Sequence, residues 1–126
     1  MTSPVPTSDP MFPSQWLPAA EAICERFYAE FPDHDERYGG RGRAFCAHDN
    51  SYLLAWLVDG LGPAGAASFV TNVEWLRSLL DARGFPMDAF QRDLELVGES
   101  VAVLRPDDAE RIRSLIVAAG SSGASR

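Results

Sequence analysis

Apolar residues recur along this chain at the spacing of a helical turn, most regularly between Pro63 and Leu104. Phe69, Val73, Leu76 and Leu80 succeed one another at intervals of four, three and four. Phe90, Leu94, Val97, Val101 and Leu104 do so at four, three, four and three. Each set places one apolar seam on an amphipathic helix. With a Gly84-Phe85-Pro86 joint between them, the pattern predicts a helical hairpin with knobs-into-holes packing.

The same rhythm extends to both sides. Residues 1–13 carry Pro4, Pro6, Pro10 and Pro13 and read as a disordered arm, with Met11 and Phe12 able to pack back on the body. Ser14 is placed to cap a helix starting near Gln15, with Pro18 in its first turn and a stripe of Trp16, Ala20, Ile23, Phe27 and Phe31. Pro32 ends it. Asp33 or Asp35 can cap the next segment, and Gly39, Gly40 and Gly42 make residues 33–42 a loop or a weak turn of helix. A firm helix is expected from Arg43 to about Asp59, stopped by Gly60 with Leu61 as its capping contact.

Gly62-Pro63 opens the third helix and Gly84 closes it. Pro86 starts the fourth, with Asp88 in its first turn. Arg105-Pro106 breaks the chain again. Asp107, Asp108 and Glu110 then begin a fifth helix striped by Ala109, Ile112, Leu115, Ile116 and Ala119, with a stop at Gly120 and a disordered tail over 121–126. No segment alternates with period two, so no strand is expected. The reading is an all-α bundle of about five helices over residues 14–120, four-helix-bundle or globin-like.

Composition narrows the function classes. A chain of 126 residues fits one domain, and 46% apolar content with three Trp and seven Phe supplies its core. A net charge of −7 argues against nucleic acid and against anionic lipid surfaces. No apolar run approaches the roughly 20 residues of a membrane helix, and the proline-rich start lacks the basic and apolar regions of a signal peptide. With Cys24 and Cys46 as its two cysteines, the chain suggests a reducing compartment, the cytoplasm by default, although a bridge between the two thiols is left open.

Candidate chemistry concentrates on the helix from Phe45 to Leu57. Phe45, Asp49, Tyr52 and Trp56 share one face, and Cys46, Asn50, Leu53 and Leu57 the next. A carboxylate inside so apolar an arc needs a donor, and Asp49 is expected to pair with Arg37, Arg41 or Arg43 or to cap the helix start. The alternative is a polar lining for a ligand. Cys46 and His48 are two positions apart, about 200° around a helix, so they do not easily share a metal ion even with His34 or Asp49 added. No metal site and no cysteine nucleophile is expected. On the third helix, Ser68, Asn72, Trp75 and Leu79 form a stripe beside the seam. Trp75 is expected to fill core or cover the inter-helix groove or, alternatively, to make a subunit contact or a ligand wall, whereas Glu74 and Arg77 read as ordinary solvated residues.

The run Tyr38-Gly-Gly-Arg-Gly-Arg, then Cys46, Asp49 and Tyr52, then Phe69-Val-Thr-Asn-Val-Glu-Trp-Leu-Arg-Ser-Leu-Leu-Asp-Ala-Arg-Gly-Phe-Pro carries a resemblance. Over residues 38–104 the chain resembles the helical domain that precedes the cobalamin-binding domain of bacterial B12-dependent sensor and regulator proteins. It is also similar to non-haem globin-like modules of bacterial stress signalling. The resemblance implies a histidine at position 53, where this chain has Leu53, and an adjoining cobalamin-binding domain, which these 126 residues do not contain. It therefore implies a signalling or interaction role. If a tetrapyrrole binds, Tyr52, Trp56 and Trp75 are where it would stack, beside Asp49.

Three functions are expected on these grounds. The first is a non-catalytic regulatory or sensory module acting through protein contacts as a homodimer. The second is a sensor holding cobalamin, haem or another planar apolar ligand at Tyr52, Trp56, Asp49 and Trp75. The third, ranked last, is a helical-bundle enzyme. Glu74, Glu95 and Glu99 are present for it, but no Glu-x-x-His pair is.

Overall fold

Prolines and glycines place most of the helix ends. In the computed structural model, which describes residues 11–124 and their side chains as far as Gly120, five α-helices account for most of the described residues. They are α1 (Leu17–Glu30), α2 (Asp33–Gly60), α3 (Ala66–Ala82), α4 (Met87–Leu104) and α5 (Ala109–Ala124). Short 3-10 turns, Ser14–Trp16 and Pro106–Asp108, precede α1 and α5. No strand occurs among the described residues, and the all-α class stands. Residues 1–10 of the arm expected over 1–13, and the tail end at 125–126, lie outside the described residues. The chain divides into two compact units, one through Ala55 and the other from Trp56.

In the first unit, α1 buries Ala20, Ile23, Cys24, Phe27 and Tyr28. The expected side-chain cap from Ser14 is not made. Instead the Ser14 amide donates to Phe12 O at 2.8 Å and the Trp16 amide to Pro13 O at 3.0 Å, so backbone carbonyls of the entering chain take over the capping. Phe31 ends α1 with φ −126° and ψ 67°, outside the α region that a residue before proline avoids.

Of the two readings of residues 33–42, the turn of helix is the one found, with a break inside it. Asp33, Asp35 and Glu36 load the first turn of α2 with the charge its N-terminus favours. The helix then breaks at Gly39, where φ 65° and ψ −161° suit glycine almost alone. Arg43 reaches back across the break and grips Asp35 with both arms of its guanidinium, Nε to Oδ1 at 2.8 Å and Nη2 to Oδ2 at 3.0 Å. Further along, Ser51 Oγ donates to Ala47 O at 2.8 Å, which lets a hydroxyl sit fully buried.

In the second unit, α3 starts later than Pro63. A turn comes first, with Gly62 N–H on Asp59 O at 3.0 Å, and the Phe69 amide makes the first helical bond to Gly65 O. The C-terminus of α3 agrees with the sequence reading. The Phe85 amide bonds Leu80 O at 2.9 Å and the Gly84 amide bonds Asp81 O at 3.0 Å, a Schellman closure with Gly84 at φ 80°. Pro86 caps α4 in extended conformation.

The expected α3–α4 hairpin seam is replaced by a different arrangement. Both helices pack chiefly against α5 and touch each other only slightly. Phe69, Val73 and Leu76 of α3 and Phe90, Leu94, Val97 and Val101 of α4 are buried together with Ile112, Leu115, Ile116 and Ala119 of α5. Leu104, the last expected seam residue, is 61% exposed at the end of α4. Gly120 does not stop α5, which runs to Ala124. The Gln91 side-chain amide of α4 lies over Gly120, 2.7 Å from where a Cβ would stand.

Candidate functional site

Two constellations in the first unit bring chemistry-bearing side chains together. The first surrounds His48. Phe45, His48 and Tyr52 lie three and four positions apart on α2 and therefore share a face. Phe12 folds back onto that face. Its ring stacks on the His48 imidazole, with centroids 5.5 Å apart and planes 14° from parallel, and meets Tyr52 edge-on at 5.9 Å. Tyr52 and Phe45 also approach His48, at 5.1 Å and 6.5 Å. Phe12 is buried by this packing, while Met11 beside it is exposed.

Asp49 hydrogen-bonds the same imidazole, Oδ1 to Nδ1 at 3.1 Å. This corrects the expectation of an arginine partner. Arg43 is engaged with Asp35, Arg41 lies over the Phe45 ring and Arg37 over the Tyr38 ring. A carboxylate on one imidazole nitrogen orients the ring and selects its tautomer, leaving the other nitrogen to act as an acceptor or ligand. Both side chains of the pair remain about a quarter exposed.

Of the four residues expected to line a ligand site, Asp49 and Tyr52 are thus gathered around His48. Trp56 and Trp75 belong to the second unit. Trp56 is half-buried, and Trp75 is 60% exposed on the outer face of α3, so it does not fill core.

The second constellation is buried between α1 and α2. Asn50, only 1% exposed, points its amide at both cysteines. Nδ2 donates to Cys46 O at 3.0 Å and lies 3.4 Å from Cys46 Sγ and 3.7 Å from Cys24 Sγ. Both cysteines are thiols. Tyr28 adjoins them. Burial pushes its phenol up to about 12, with the neighbouring cysteines adding to the rise, although the Arg43 guanidinium stands 4.5 Å above its ring and works the other way.

Sequence reasoning missed several of these placements. Nothing in the sequence fixes Phe12 on His48, whereas the Phe45–His48–Tyr52 spacing is a signal for their shared face. His34, considered as a metal ligand, is instead buried among Phe27, Phe31 and Tyr38, with centroids 5.2, 5.6 and 5.3 Å away. Asp93 is buried on the inner face of α4, where its position beside Phe90, Leu94 and Val97 in the helical period was the available signal.

Among the described residues, no group of three or more His, Cys, Asp or Glu is placed to hold a metal ion, and no helix is long and apolar enough to cross a membrane. Compared with protein-family models, with curated proteins and with solved structures, the chain matches none.

Proposed function

We propose that this protein is a non-catalytic regulatory or sensory module that works through protein contact, pairing with a second copy of itself across the outer face of α3. The observation that carries the reading is Trp75, a large aromatic left 60% exposed at the middle of that face. By the helical period, Ser68, Thr71, Asn72, Ser78 and Leu79 surround it, and none of them is charged. Glu74, Arg77 and Asp81 lie on other arcs of the helix. On a chain of net charge −7, a charge-free face is where two copies meet with the least repulsion. An aromatic anchor ringed by small polar residues is also the composition of an interface centre.

Size-exclusion chromatography with light scattering tests this. Twice the chain mass for the native protein, and the chain mass for Trp75→Ala, is the expected pair of results. A native protein that stays monomeric at the highest attainable concentration overturns the reading.

A further inference from the structure

We propose that Cys24 and Cys46 form a peroxide-responsive dithiol, a modification site in which an intramolecular disulfide ties α1 to α2. One amide nitrogen, Asn50 Nδ2, lies 3.4 Å from one sulfur and 3.7 Å from the other. The sulfurs are therefore no more than about 7 Å apart, the two distances laid end to end. The two cysteines differ in access. Cys24 is buried at 6% exposure, whereas Cys46 is only half-buried. That asymmetry suits an attacking and a resolving thiol.

The oxidant is a hydroperoxide, with hydrogen peroxide the simplest. The Cys46 thiolate attacks one peroxide oxygen, an S–O bond forms, the O–O bond breaks and hydroxide leaves to become water. Cys46 is then a sulfenic acid. Cys24 sulfur attacks the Cys46 sulfur, the S–O bond breaks, and the departing hydroxide takes the Cys24 proton as a second water. The two sulfurs together give up two electrons, and the peroxide accepts them. The bond closes the loop between residues 24 and 46 and so restricts the unfolded chain. The site is independent of the α3 face.

The test uses the full chain, reduced and then treated with hydrogen peroxide in slight excess. Intact mass should fall by two hydrogens with no covalent dimer, and peptide mapping should join Cys24 to Cys46. The thermal midpoint should rise, and dithiothreitol should reverse both changes. Cys24→Ser should instead collect oxygen on Cys46, and Cys46→Ser should stay unmodified over the same time. Oxygen addition without cross-linking in the native chain, or a bridge between two chains, overturns the proposal. So does an unmodified mass. None of these readouts on the native chain depends on the variants folding.

Discussion

Arg77 Nη1 donates to the backbone carbonyl of Ala119 at 2.9 Å, joining residues 42 positions apart. The same guanidinium lies 5.3 Å from the centre of the Phe90 ring. One side chain on α3 thus touches both α4 and α5. The expectation of a solvated residue at this position is corrected accordingly. Arg77 is half-buried.

Replacing Arg77 with Met keeps an unbranched, apolar side chain but removes the donor and the charge. A hydrogen bond from a charged group contributes about 1.5–3 kcal/mol, so Arg77→Met should destabilise by about 2 kcal/mol. Urea unfolding of the second unit reads this as a lower midpoint at unchanged slope. An unchanged midpoint would show that the bond to Ala119 contributes nothing.

Gly39 bears the break in α2. Ala at this position must adopt φ 65° and ψ −161° or shift the break, at a cost of about 1–3 kcal/mol. Gly39→Ala should lower the thermal midpoint, whereas Gly40→Ala, at a neighbouring position with ordinary φ, should not. Equal melting of the two variants contradicts the geometry.

Tyr28 makes stability sensitive to alkali. Its phenol is raised from 10.0 to about 12 in the fold, so between those values the folded chain holds a proton that the unfolded chain has lost. The stabilisation of the neutral form is fully present below pH 10 and is lost as pH rises toward 12. Tyr28→Phe should flatten this part of the stability profile. Difference absorbance between native protein and variant should place the Tyr28 phenolate well above pH 10; its appearance near pH 10 would be the contrary result.

Trp75→Ala should leave the monomer fold nearly intact, because most of the indole faces solvent. Loss of an interface anchor costs about 2 kcal/mol or more, so the dimer constant should weaken roughly 30-fold. Sedimentation over a concentration series checks this, and equal constants for both proteins would remove Trp75 from the interface.

Local chemistry made much of the fold legible. Gly84 and Pro86 mark the joint between α3 and α4, because a positive φ and a missing N–H act within a turn of chain and depend on no neighbour. Pro32 and Arg105-Pro106 end α1 and α4 for the same reason. Helical periodicity likewise set the buried faces of α3 and α4, where Phe69, Val73, Leu76, Phe90, Leu94, Val97 and Val101 are all inside. The helical assignment of 33–38 was harder to see, because its acidic first turn and its bond to Arg43 compete with three nearby glycines.

By itself, then, the sequence determined the class, the ends of most helices and the side of each that turns inward, since all three derive from backbone preference and the 3.6-residue period. Only the tertiary structure decided what each side meets. It set α5 against both α3 and α4, brought Phe12 onto His48 and gave Asp49 an imidazole instead of a guanidinium. It also engaged Arg77 and left Trp75 outside. A hydrophobic period states that a face is covered, and the identity of the cover depends on contacts between residues far apart in the chain.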